Sequence, residues 1–139
     1  MKVLILFLLF LNSLYSVAHS ADLIMPVKGV YDGDTFYSDL CALPKPLSEV
    51  SIRIVGIDTP EIRTTCASEK VLGYAAKAKL QELFEGQNVV VVKDVEWDKY
   101  GGRIDGRVFL EDGTDIAAKM IESGLARPYE GGTREPWCN

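Results

Sequence analysis

The sequence predicts a mainly β protein of the α+β class, a five-stranded barrel carrying two to three helices. Three observations predict it: short β-branched runs bounded by Asp-Gly turns, one long amphipathic segment after the third run, and a short helical segment after the fifth. Three strands, a helix, two strands and a helix is the order of a Greek-key OB-type barrel, an architecture that often binds nucleic acids.

The elements follow in order. Val27, Val30, Thr35, Phe36 and Tyr37 flank Asp32-Gly33, a dipeptide that favours a tight hairpin turn, so the first two strands meet there. Pro44 and Pro46 mark a loop. Val50, Ile52 and Ile54 then alternate with Ser51, Arg53 and Val55 as a third strand that runs on towards Asp58. Ser68 is placed to cap a helix whose Leu72, Ala76, Leu80, Leu83 and Phe84 share one face, with Gly86 as its stop. The β-branched run 88–96 is a core strand. Residues 102–113 form the fifth, ending at Asp112-Gly113. Asp115 caps a short helix closed by Gly124, and an irregular tail follows with Gly131-Gly132 and Pro136.

The N-terminus reads differently. Lys2 precedes an apolar run, residues 3–11, too short to span a bilayer comfortably, and Ala18 and Ser20 suit signal cleavage before Ala21; a cut after Ala18 is the alternative. Residues 1–20 are therefore expected to be a signal peptide and 21–139 one domain, secreted or periplasmic and without stable membrane association after cleavage. No later segment is apolar enough to span a membrane. A monomer is the default expectation.

Charge and composition exclude several classes. The formal charge of −5 becomes −6 once Lys2 is removed, so bulk charge does not attract nucleic acid; a polyanion must be held by a local basic cluster or through a metal. The only histidine, His19, falls in the signal segment. A mature chain without imidazole cannot run a Ser-His-Asp triad, a two-histidine ribonuclease mechanism or a histidine-ligated zinc site. Carboxylates must do the acid-base work, and oxygen ligands favour calcium or magnesium. Cys41, Cys66 and Cys138 suit an exported protein with one disulfide and one spare thiol, and spacing does not choose among the three pairings.

Asp34 lies just past the hairpin turn, and Asp58 and Glu61 just past the third strand, positions from which carboxylates converge while their strands stay buried. Pro60 keeps Thr59 extended, so its carbonyl can project as a further ligand. Taken singly, these acids also serve as ordinary turn and loop residues. Arg53, with Arg103 and Arg107 on or beside the fifth strand, changes the balance: guanidinium groups facing a cation make a site for a phosphate whose charge grows during attack by water.

These blocks resemble the staphylococcal nuclease (thermonuclease) family. DGDT at 32–35, RIVGIDTPE at 53–61, DKYGGR at 98–103 and EDGTDIAAKMIESGLA at 111–126 stand in the family's order and at its approximate spacings. The resemblance implies a calcium-dependent endonuclease acting on DNA and RNA with little sequence preference and leaving 3′-phosphate ends. It implies one Ca²⁺ ion held by Asp34, Asp58 and the Thr59 carbonyl, with Asp32 steadying the cage. Glu61 matches the general base or water organiser, and Arg53 and Arg103 match the arginines on the phosphate. Lys99, Tyr100 and Tyr129 match nucleotide-binding positions.

Two departures stand out. Gly102 is an extra residue before Arg103, which leaves Arg107 as the fallback second arginine. The family's long C-terminal helix is missing, and the expectation is that a Cys66–Cys138 disulfide ties the tail over the site instead, leaving Cys41 free. The competing reading is an inactive OB-fold module that binds nucleic acid without cutting it.

Overall fold

The computed structural model describes residues 21–138, so the expected signal peptide, 1–20, lies outside the described residues. Eight strands and two helices follow one another: β1 (Leu23–Pro26), β2 (Gly29–Val30), β3 (Thr35–Asp39), β4 (Glu49–Ile54), β5 (Gly56–Asp58), α1 (Ala67–Leu83), β6 (Val89–Trp97), β7 (Arg103–Phe109), α2 (Ile116–Glu122) and β8 (Arg127–Tyr129). Six strands form one sheet in the order β1-β6-β7-β4-β3-β2. Its two edge strands, β1 and β2, are consecutive in the chain. Val27 donates to the Asn88 carbonyl and Lys28 to that of Tyr37, so the short pass 23–30 stitches one edge to the other and the sheet curls on itself. This is the OB-type architecture that the pattern predicts, with the first strand split in two.

The parallel pairing of β4 with β7 is the crossover that such a topology needs, and α1 supplies the connection between β4–β5 and β6. A β-bulge between Lys93 and Glu96, with Asp94 in the left-handed region (φ 52°), bends β6 around the barrel. Gly106 makes room for it: a Cβ there would lie 2.5 Å from Val92 and 3.0 Å from the Lys93 carbonyl.

Alternation decides which side chains go inside. Phe36, Ile52, Ile54, Val90, Val92, Ile104 and Val108 point inward and are almost wholly buried. Each large apolar side chain so buried contributes about 1.5–3 kcal/mol. Helix α1 closes one end with Ala76, Leu80 and Phe84, whose ring meets Phe36 edge-on at 5.1 Å, and α2 adds Ile116 and Met120.

Four local expectations need correction. The third strand does not run unbroken to Asp58: it stops at Ile54, turns at Gly56 (φ 87°) and restarts as β5. Helix α1 is capped by Cys66 rather than Ser68. Its buried face is Gly73, Ala76 and Leu80, leaving Leu72 exposed, because Gly73 allows the helix to press against the backbone of Glu61 and Ile62, where a Cβ would lie 2.9–3.0 Å away. Finally, β5 and β8 form a separate two-stranded sheet that five strands did not anticipate. Both predicted stops and the second cap match: Gly86 (φ 77°) follows α1, Asp115 accepts from the Ala118 amide, and Gly124 (φ 74°) ends α2. Residues 130–138 carry no helix, and among the described residues no helix is long and apolar enough to cross a membrane.

Candidate active site

Strand register builds the first wall. Thr35 pairs with Arg53, and Arg53 with Asp105; Tyr37 pairs with Ser51, and Ser51 with Arg103. Because Phe36, Ile52 and Ile104 face the core, these partners all lie on the outer face of β3, β4 and β7. Arg53 and Arg103 thus stand on adjacent strands, two positions apart in register. Arg107, on the same face, pairs instead with the α2 cap Asp115 at 3.1 Å and lies over the Phe109 ring.

The second wall comes from two loops that glycines let approach. A Cβ on Gly33 would stand 2.7 Å from Ala76 and 2.9 Å from Thr59, so only glycine admits the 32–34 turn this close to the 58–61 segment. Gly73 does the same for α1 against Glu61. Glu69, in the first turn of α1, accepts from the Glu61 amide at 3.2 Å and from Thr64 Oγ1 at 2.8 Å, which fixes the loop leading away from the site.

Asp34, Asp58 and Thr59 are each only 4% exposed, and charges buried to that degree require partners. Asp34 Oδ2 meets Arg53 Nη1 at 2.7 Å and its Oδ1 accepts from Thr35 Oγ1 at 2.9 Å. Arg53 Nη2 also donates to the Ile57 carbonyl at 3.4 Å, tying the Asp34 turn to β5. Asp32 Oδ1 accepts from the Asp34 amide; burial, then the Asp34 charge, push the Asp32 carboxyl up to about 6 against that bond.

Asp58 and Glu61 are met by the tail. Arg134 donates through Nη1 to Glu61 Oε1 at 2.7 Å, while its Nε stands 3.2 Å from Asp58 Oδ1. Trp137 Nε1 donates to Asp58 Oδ2 at 2.9 Å. Burial opposes the charge on Arg134, yet Asp58, Tyr129 and Glu61 raise its pKa above the ordinary guanidinium value. Strand β8 brings the tail here by pairing Arg127 with Asp58 and Tyr129 with Gly56. Gly131 and Gly132 (φ 97° and 94°) then turn it back. Tyr129 donates its hydroxyl to the Gly132 carbonyl at 2.8 Å, and Arg127 stacks on Trp137 at 3.7 Å. The Cys66–Cys138 disulfide, Cα atoms 6.0 Å apart, fastens the end to the α1 cap, and Cys41 is free and exposed. This is the pairing that the sequence reading favoured.

The resulting cleft, about 330 Å³, is lined among others by Asp34, Arg53, Thr59, Glu61, Arg103 and Arg134. Asp58 lies in an adjoining hollow that shares Thr59, Glu61 and Arg134. Lys99, Tyr100 and Tyr129 are outside it. Tyr100 is 81% exposed at the β6–β7 turn with Lys99 over its ring, and Tyr129 is engaged by the tail. Arg103 leans on that turn: its Nη2 donates to Asp98 at 2.6 Å, and the Tyr100 amide and then Arg103 hold the Asp98 carboxyl below its ordinary value.

Three buried polar atoms here lack a hydrogen bond. Arg103 Nε and Asp105 Oδ1, 3.3 Å apart, are not aligned to bond each other, and Asp58 Oδ1 receives none from Arg134 despite their proximity. The first is a spare donor suited to an anion, and the two carboxylate oxygens are spare acceptors. The donor set Asp34, Asp58 and the Thr59 carbonyl is all oxygen, the chemistry a hard divalent ion requires, and so it fits calcium. Among the described residues, though, no three acidic, histidine or cysteine side chains converge on one point, and Arg134 pairs with both Asp58 and Glu61.

Sequence reasoning did not single out Arg134, Glu69 or Gly73, and it read Gly33 only as a turn residue. The tail was expected over the site through its cysteine, and a basic residue four positions before that cysteine was the available signal.

Comparison with known proteins gives the family. Residues 51–136 match the family described as staphylococcal nuclease homologue. An Escherichia coli protein named "Uncharacterized endonuclease" is 31% identical over 116 residues, covering 84% of this chain and 67% of the relative. With the four sequence blocks, the curled sheet and the paired arginines in one cleft, the chain belongs to the staphylococcal nuclease homologue family.

Proposed function

We propose that the protein is a nuclease that hydrolyses phosphodiester bonds of DNA and RNA with calcium, works outside the cytoplasm after loss of residues 1–20, and leaves 3′-phosphate ends. The observation that carries the reading is the convergence of Asp34, Glu61, Arg53 and Arg103 on one cleft, with Arg53 and Asp34 ion-paired at 2.7 Å. In it, Asp34, Asp58 and the Thr59 carbonyl would hold one Ca²⁺, with Asp32 steadying the turn that carries Asp34, and the ion would supply Lewis acidity to the phosphate.

The chain's own residues do the rest. Arg53 and Arg103 donate to the non-bridging oxygens, whose charge rises as water adds, so their attraction is greatest at the transition state. Glu61, whose backbone is held by Glu69 and by the close fit of Gly73, orients that water and takes its proton as the bond from phosphorus to the 5′ oxygen breaks, and that oxygen leaves with a proton from solvent. Lys99, Tyr100 and Tyr129 flank the cleft as candidate contacts for the nucleotide. Alignment outside the cell suits a protein with a disulfide in its tail.

The second reading, a nucleic-acid-binding module that does not cut, is favoured by one observation: Arg134 already engages Glu61 and Asp58. Plasmid digestion with calcium, with chelator and with Glu61→Gln separates the two. Cutting by the wild type in calcium alone supports the nuclease. Binding without cutting in calcium supports the module, and equal cutting in all three removes the roles given to Glu61 and the ion.

A further inference from the structure

Beside the cleft runs a second groove, about 240 Å³, between α1 and the loop after Glu61; it shares Tyr31, Asp32 and Glu61 with the cleft. Its remaining lining differs in kind: Tyr74 adds a second ring to that of Tyr31, and Arg63 and Lys77 present cations. Tyr74 is 55% exposed, and the Arg63 guanidinium lies 5.5 Å from the Tyr31 ring centre. Among the described residues neither Arg63 nor Lys77 has a carboxylate within ion-pair distance, whereas Arg53, Arg103 and Arg134 in the cleft all do. Lys70, Tyr74 and Lys77 recur at four- and three-residue spacing, so they share one face of α1.

Aromatic faces alternating with unneutralised cations, on a chain of net negative charge, are what a single nucleic-acid strand binds: bases stack on rings and phosphates meet cations. We propose that this groove is a subsite for the unpaired nucleotide next to the scissile phosphate, with Tyr74 and Tyr31 as stacking platforms and Arg63 and Lys77 on the adjoining phosphate. The subsite deepens the nuclease reading and rests on it for the identity of the neighbouring cleft. A paired base keeps its faces covered by its own stack, so the groove makes the protein favour single strands over duplex.

The test measures anisotropy of a fluorescein-labelled thymidine decanucleotide on the Glu61→Gln protein in calcium, across a salt series. Adding Tyr74→Ala weakens binding about tenfold and leaves the salt slope unchanged, since stacking releases no counterions. Adding Lys77→Gln lowers the log–log salt slope by about 0.7, the value for one lost phosphate contact on a single strand. Hydrolysis of bis(p-nitrophenyl) phosphate, which is too small to reach the groove, stays within about twofold when either change is made in the wild type. Tyr74 is exposed and Lys77 half-buried, and matching melting curves establish that the variants fold. Unchanged affinity and slope in both variants, or equal affinity for the decanucleotide and a blunt duplex, overturns the subsite. Failure of the wild type to cleave any diester in calcium instead sinks the nuclease reading and leaves the binding result standing.

Discussion

On the barrel face, Arg53 sits on a strand paired on both sides and is clamped by Asp34 and the Ile57 carbonyl; on the tail, Arg134 sits in an irregular segment fastened by a disulfide and by the carboxylates it neutralises. Both are guanidinium groups on buried or half-buried acids. The first stands on a central strand and is held both by Asp34 and by a backbone carbonyl. The second is held mainly by the site, so anything that takes Asp58 or Glu61 away from it loosens the tail. In the proposed reading the barrel supplies the phosphate-binding surface, and the tail supplies a removable positive charge.

The comparison breaks most readily at Arg53. Arg53→Gln removes a donor that the reading aims at the transition state, and kcat is expected to fall about 10²–10³-fold, the usual cost of one such donor. The same change leaves Asp34 buried without its counter-charge, so urea unfolding in chelator should show a loss of about 3 kcal/mol, at the low end for a broken buried pair. A variant with full activity would mean that the fixed arginine is structural only.

Next is the fastening of the tail. The disulfide joins residues 72 apart in sequence, and Cys66→Ser with Cys138→Ser should lower unfolding stability by about 2–4 kcal/mol. Trp137 should become more mobile while the barrel's own spectrum is retained. If stability is unaffected, the tail is held by Arg134 and Trp137 alone.

A sharper distinction comes from Arg134→Gln. Removing a positive charge 3.2 Å from Asp58 should tighten calcium binding, measured by calorimetry, about tenfold, because the ion no longer competes with a tethered cation. Weaker binding would show that Arg134 props the carboxylates open rather than shielding them.

The smallest effect concerns pH. Asp32 binds its proton more tightly in the folded chain, with a pKa of about 6 against an ordinary 3.8, so its contribution to stability is full below the ordinary value and is lost as pH rises through about 6. Melting in chelator should therefore fall modestly between about pH 4 and 6. Asp32→Asn should flatten that slope, and an unchanged slope would assign it to another group.

Much of the barrel was legible because its signals are local: alternation in 50–54, the β-branched run from Val89, and the caps at Asp115 and Gly124 each specify their own element. What was not legible depends on partners far along the chain. The β5–β8 pair has only three residues a side, and nothing in either segment announces the other. Leu72 looked like a core residue by spacing, but the face of α1 is chosen by Gly73 meeting the Glu61 backbone, a contact of tertiary origin. Arg53 and Arg103 came from motif blocks, and only the fold shows that Arg107 stands beside Asp115. Arg134, 73 positions after Glu61, left no local trace of the ion pair it makes.

The most direct test is the initial rate of single-strand cleavage against free calcium, for the wild type and for Asp58→Asn. The account predicts a saturating rise from zero for the wild type and almost no rate for the variant at the same calcium. Cleavage that persists without the ion, or a variant that follows the wild-type curve, would contradict it.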